Sequence, residues 1–404
     1  MEKPLTVVEI SDTQVRIAVG YENNNKINLV YMAERPINGL ISHGEIIDLT
    51  TLSQILSSMR EFKNESTKEK FVVNEATLLL PSLGLNVFQS EKTTNVVSPF
   101  GVVAQIDIEN VISLVQKEAV PSGSEIIDII PDSFTLEKGR TYINPPIGED
   151  SNNIKVNAKI HCLQTRIVSE YKRAAEAAHI KVRRLCVTSY AIAELGRYIE
   201  TLPHSYILVD MGAEMSNISL IGNNTPFETI AFYSGGNDLV NRIVENFRIS
   251  PEDALELLKK YGLDERPLSY KPVIARGNID GVMKEFDPEA LNLIIKTFFM
   301  EDYFAQFDVA FENLMKGYPE AVRNLPIVFT GGFSNLHGFE NLAKNKFSKK
   351  DSNTSKYVDG MDKSRSAFAS KFDSLSKKSL NSFKSLLYES KVKGERFLSN
   401  STYW

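Results

Sequence analysis

The residues of this chain whose types and spacing suit chemistry sit at the ends of short apolar runs. In ILVDMGAEMSNISLI, residues 207–221, Asp210 closes an apolar stretch, Gly212 opens a tight turn and Ser216 enters the next stretch. In PIVFTGGFSNLHGFENLA, residues 326–343, Gly331 and Gly332 follow another apolar run. Backbone N–H groups of tight turns hold phosphate oxygens, glycine lets the backbone approach closely, and an acidic neighbour holds Mg²⁺ or orients water. On that chemistry Asp210, Gly212 and Ser216 suit a polyphosphate, while Gly331 and Gly332 let a base or ribose lie against the backbone. The plainer reading stands beside it: Asp210 caps a turn and the glycines meet turn geometry. Two cysteines, Cys162 and Cys186, make no disulfide framework, and five scattered histidines point to no metal centre.

The elements that must position these residues are legible as a repeated pattern. LTVVEI and VRIAVG are β-rich runs separated by the polar turn Ser11, Asp12, Thr13 and Gln14, which reads as a hairpin. About two hundred residues on, SYILVDMG, AEMSN and ISLIG repeat strand, polar turn and strand. With the strand, Gly-Gly and helix of 326–343, this predicts an α/β fold of two similar halves facing one cleft. Helices are expected over 165–179, 188–200, 289–315, and from Pro251 to near Gly262, where Ser250 is an N-cap and Pro251 a first-turn proline. Residues 84–164 read as an inserted block of strands and one helix, with TYINPPIG as a loop. The expected organisation is one lobe from 1–83 plus 165–203, the insert at 84–164, a second lobe at 204–343, a Ser/Lys/Asn-rich disordered linker at 344–364 and a basic amphipathic tail at 365–404.

Length and charge bound the rest. At 404 residues the chain exceeds a single core. Its opening lacks a signal-peptide layout and no run reaches the length of a spanning helix, so a cytoplasmic body is expected. The net charge of -5 is divided unevenly: from Lys344 onward fourteen Lys and Arg face six Asp and Glu, or +8, leaving -13 on the body. Placed on a helix, Phe368, Phe372, Leu375, Phe383, Leu386 and Phe397 fall within roughly 80° of one another, with lysines elsewhere on the wheel. A Lys-bearing helix with Phe and Leu on one face suits an anionic membrane surface. The alternative is that this helix docks on the body and completes the fold. A nucleic-acid partner is not expected, since the apolar stripe would then serve nothing.

Several stretches together resemble the bacterial cell-division protein family FtsA. GLISHGEIIDL at 39–49 resembles that family's turn and strand before a helix, and EIIDIIPDSFTLEKGRTYINPPIG at 125–148 its inserted subdomain. Residues 207–221 resemble its second phosphate loop, EDALELLKKYG at 252–262 the helix flanking the nucleotide, and IVFTGGFSNLHG at 327–338 the adenosine loop. The resemblance covers roughly residues 5–343 and implies an actin-like two-lobed fold with an FtsA-type insert. It implies ATP with Mg²⁺ as ligand, held by Ser11, Asp12, Thr13 and Gln14, by Asp210, Gly212, Ala213 and Ser216, and by Gly235, Gly236, Gly331 and Gly332. It also implies a peripheral protein on the cytoplasmic side of the membrane at the division site. There it would tether the FtsZ ring, self-associate, and recruit later division proteins through the insert.

The chain departs from the family at telling positions. Glu9, Ile10, Ser11 and Asp12 stand where the first loop usually reads Asp-x-Gly-Ser/Thr, so the acid is longer and the glycine is lost. Glu214 brings a negative charge into the second phosphate loop, Leu255 and Leu258 replace the polar contacts of the flanking helix, and Val240 and Arg242 replace a Thr and an Asp. Nucleotide binding is therefore expected to be weakened and efficient hydrolysis is not expected. Two further readings share the fold: a PilM-like pilus-assembly adaptor, which needs no amphipathic tail, and an active ATPase or sugar kinase, which the first loop disfavours.

Overall fold

The computed structural model describes residues 5–23, 26–63, 70–196, 202–264 and 272–347. Within them the chain divides into two compact units, the first running to Leu195 and including Pro226–Glu228, the second made of the remainder from Gly196.

In the first unit, five strands form a sheet in the order Lys181–Val187, Glu75–Leu80, Leu5–Ile10, Gln14–Asn23, Lys26–Pro36. The first three are mutually parallel and the last three antiparallel. EATLLL is buried from Ala76 onward, as a parallel strand covered on both faces must be. The Ser11–Thr13 turn fixes the hairpin register so that Glu9 lies directly opposite Arg16. Beyond it, a short hairpin pairs Ile41–Ser42 with Glu45–Ile46, turning through His43 and Gly44, both at positive φ. The helix Leu49–Met59 follows, its N-terminus capped by Asp48, which accepts from the Thr51 N–H.

The inserted block has a sheet of its own, ordered Thr141–Tyr142, Ser124–Leu136, Asn153–Gln164, Asn86–Asn95. The helix Gln105–Gln116 contributes Ile108, Val111 and Val115 to a separate core with Phe134, Val156 and Ile160. Its first turn is pinned by the buried Asp107, which accepts from the N–H groups of Val97 and Ala104 at 2.7 and 2.8 Å. Two ion pairs join the block to its own unit. Lys172 of the helix Thr165–Ala177 donates to Glu125, and Arg184 of the strand Lys181–Val187 donates to Asp128. TYINPPIG is a loop except at Thr141–Tyr142, which pairs with Phe134 and Thr135.

The second unit repeats the hairpin arrangement. Tyr206–Met211 pairs antiparallel with Ser216–Gly222 and parallel with Ile327–Thr330, while Thr225–Phe232 lies outside Ser216–Gly222. The helix Pro251–Lys260 has the expected cap, the Ser250 hydroxyl accepting from the Asp253 N–H. The helix expected over 188–200 is described from Thr188 to Gly196. That expected over 289–315 departs from simple α-geometry: Pro288–Thr297 passes through a π-helical stretch, Phe298–Tyr303, into Phe304–Leu314. Adjacent aromatics explain this. Phe298 and Phe299, then Tyr303 and Phe304, are all buried, and a widened turn keeps both members of each pair on the core side. A final helix, Phe339–Phe347, closes the unit by setting Phe347 against Phe304 and Phe307. The linker expected from residue 344 starts later than the sequence suggested, because residues 344–347 form the last turn of this helix, with Lys346 paired to Asp308 and Phe347 packed in the core. The rest of it, and the basic segment 365–404 with Phe368, Phe372, Leu375, Phe383, Leu386 and Phe397, lie outside the described residues.

A small hairpin, Ala275–Ile279 with Val282–Phe286, packs on the C-terminus of the helix Gly236–Phe247, where the Phe247 and Phe286 rings stack with centroids 4.1 Å apart. A Cβ on Gly277 would lie 1.6 Å from the Phe247 carbonyl oxygen, so only glycine fits. Gly277→Ala is expected to lower the unfolding free energy by about 1–3 kcal/mol, seen as a lower urea midpoint at unchanged slope.

Candidate functional site

In the first unit, the predicted loop residues bond mainly to the chain itself. The Ser11 N–H and hydroxyl both donate to the Gln14 carbonyl, at 3.0 and 2.9 Å, and the Thr13 carbonyl accepts from Ile37 N–H. Asp12 accepts from the N–H of Gly44 at 2.9 Å, and the Tyr171 hydroxyl donates to the Gly44 carbonyl at 3.1 Å. The Ser11–Gln14 turn is thereby tied to the His43–Gly44 turn. Burial, and secondarily the Asp12 charge, pushes the Tyr171 phenol well above its ordinary range. Arg16 donates to Glu9 at 2.7 Å, both side chains being largely buried.

In the second unit, three loops meet at backbone distance. A Cβ on Gly235 would lie 2.3 Å from the Ala213 carbonyl oxygen; one on Gly212 would lie 2.5 Å from that of Met215. Gly331, at φ +90°, leaves no room for a Cβ, which would approach the Met211 carbonyl to 2.3 Å and Asp210 Oδ1 to 2.6 Å. The structure thus brings Asp210, Gly212, Ala213, Gly235, Gly236 and Gly331 to one place. Gly332 faces open space, and Gly236 lies beside the Phe333 ring.

Many donors in this cluster already have partners. Gly236 N–H donates to the Gly212 carbonyl at 3.1 Å, Asn237 N–H to that of Ala213 at 2.8 Å, and Gly212 N–H to that of Met215 at 3.0 Å. The N–H of Gly235, at the start of the helix Gly236–Phe247, donates to the carboxylate of Asp238 at 2.9 Å. A ligand anion at this helix N-terminus meets a resident carboxylate. Ser216 is fully buried: its hydroxyl donates to the Ser234 carbonyl at 2.8 Å and accepts from the Tyr303 hydroxyl at 2.9 Å. Its side chain holds the loop rather than facing a ligand. Burial pushes the Tyr303 phenol far up, against the pull of the Ser216 hydrogen bond. Arg242, on the same helix, pairs with Asp302 of the π-helical stretch at 2.7 Å.

Sequence reasoning missed Asp238 and Tyr303. Asp238 carried a signal, because an acid three residues after the residue that caps a helix is the spacing of a capping box. Tyr303 carried none, since its place depends on the π-helical turn. Leu258 is buried in the core of its unit, whereas Leu255 is exposed.

The duplicated strand–turn–strand sheets and the glycine-packed loops define an actin-like α/β protein with an inserted subdomain. In fold the chain is similar to a solved PilM-PilN type IV pilus biogenesis complex, with a TM-score of 0.56 at 16% identity, covering 86% of this chain and 87% of that one. Residues 84–162 match the family described as the SHS2 domain inserted in FTSA. The chain is 22% identical over 355 residues to the cell division protein FtsA of Neisseria meningitidis serogroup B, covering 86% of this chain and 82% of that protein. It is 20% identical over 344 residues to that of Bacillus subtilis, covering 83% and 75%. Over most of its length the chain is thus similar to FtsA cell-division proteins, at 20–22% identity.

Two outcomes follow from the Ser216–Tyr303 contact. Ser216→Ala strands a buried phenol hydroxyl and is expected to cost about 1–3 kcal/mol, whereas adding Tyr303→Phe should recover part of that loss in a double-mutant cycle. Because the Tyr303 phenol titrates above its ordinary value of 10.0 in the folded chain, its contribution is intact below that pH and is lost as pH rises further. Alkaline melting curves of Tyr303→Phe should therefore fall less steeply above pH 10 than those of the parent.

Proposed function

We propose that this chain works in bacterial cell division as a peripheral tether, linking an FtsZ filament to the inner face of the cytoplasmic membrane. The observation that carries this reading is the inserted subdomain. Residues 84–162 match the domain described for FtsA, and they form a sheet with a core of their own, ion-paired to the first unit. In this proposal the insert contacts later division proteins and the body self-associates. The actin-like halves bind nucleotide weakly, because the candidate loops already satisfy many of their own donors, and hydrolysis is slow or absent. The likeness to the PilM-PilN complex concerns the fold alone.

The membrane contact is assigned to residues 365–398. No helix among the described residues is long and apolar enough to cross a membrane. Each fully buried Phe or Leu contributes roughly 1.5 to 3 kcal/mol, and each Lys near an anionic surface about 1 kcal/mol. Ordering the backbone opposes this by about 1–2 kcal/mol per residue. Binding is therefore expected to be reversible and to need anionic lipid.

The test is sedimentation with anionic liposomes. The full chain should pellet with vesicles, and the double substitution Phe372→Asp and Phe383→Asp should release it to the supernatant. If the double variant pellets like the parent, the apolar stripe is not the anchor. If the parent stays in the supernatant and truncation at Asp362 lowers its melting temperature, the segment belongs to the body.

A further inference from the structure

The fold family implies Mg²⁺ beside the nucleotide, and the carboxylates of the first candidate loop do not fit that role. Mg²⁺ requires near-octahedral oxygen ligation and is usually held by one or two carboxylates together with substrate phosphates and water. In the first unit Glu9 occupies the loop's acidic position, and its carboxylate is taken by Arg16. The two residues are direct cross-strand partners, the ion pair measures 2.7 Å, and the side chains are 10% and 13% exposed. Arg16 also lies opposite Glu34, whose carboxylate is 3.7 Å from its Nε. The other acid of this loop, Asp12, accepts the Gly44 N–H and holds two turns together.

We infer that Arg16 stands in place of the divalent cation at the first loop, so that this chain takes its nucleotide without metal. The inference rests on the nucleotide reading proposed above and specifies the ligand as the metal-free polyphosphate. The register that opposes Arg16 to Glu9 makes the neutralising charge a permanent part of the sheet. A divalent ion brought to Glu9 would have to displace the guanidinium or share the carboxylate with a like charge in a largely buried site, where such repulsion is weakly screened. The longer acid at Glu9 is what reaches across the strand pair to Arg16.

The experiment is calorimetric titration of the full chain with ATP, once in EDTA and once in excess MgCl₂. The expected result is the same affinity in both, within about threefold, well below the roughly tenfold change that loss of one charge-assisted contact produces. Arg16→Ala leaves Glu9 without its partner and should weaken binding in EDTA by about tenfold or more, with Mg²⁺ restoring it, while Arg16→Lys should stay metal-independent. An affinity of the parent chain that rises tenfold or more in Mg²⁺ would overturn the inference and leave the nucleotide reading intact. Absence of heat in both conditions would overturn the nucleotide reading and the inference with it. The parent comparison needs no variant, so the outcome is decided even if Arg16→Ala does not fold.

Discussion

The second unit depends on backbone packed directly against backbone. Gly212, Gly235 and Gly331 each occupy a place where a single added carbon would meet a carbonyl oxygen at 2.5 Å or less. That distance lets the ends of Tyr206–Met211 and Ile327–Thr330 and the start of Gly236–Phe247 converge on one spot, because no side chain stands between them. The remaining parts are arranged to keep these approaches rigid. Ser216 and Tyr303 fasten the hairpin to the aromatic core, Asp238 closes the helix start, and Phe333 shields Gly236. The same closeness that would let a flat ligand lie on the backbone has here been used largely for internal hydrogen bonds.

In the first unit the corresponding turn is held by charge rather than by close packing. Asp12 binds one backbone N–H of a neighbouring turn, Tyr171 binds the adjacent carbonyl, and Glu9 and Arg16 neutralise one another across the hairpin. Removing one partner from such a pair leaves a charge in a place with little water, a larger penalty than the net contribution of the intact pair. The two units therefore share a strand order around their hairpins but not the means by which the turn is fixed.

The duplicated hairpins were legible because each pairs two apolar runs across a short polar turn, and the Ser250–Pro251 helix start because cap chemistry is local. The glycine positions were legible as turn signals, though not as contacts, since what a Cβ would meet depends on chain segments far apart in sequence. The π-helical stretch had no local signature. It arises where Phe298, Phe299, Tyr303 and Phe304 must all reach one core, a requirement visible only after that core is assembled. The Glu9–Arg16 pair was readable in principle, because the short turn sets the register. The expectation that Ser216 faces a ligand met the opposite environment, full burial between Ser234 and Tyr303.

The strand Asn153–Gln164 of the insert continues without any linker into the helix Thr165–Ala177, twelve extended residues followed at once by thirteen helical ones. An extended strand hydrogen-bonded on both sides has little slack under tension. The insert is thus joined to its unit as a stiff arm to a shaft, and a pull on its far end loads the helix, and Lys172 and Glu125 beside it, without first straightening a loop.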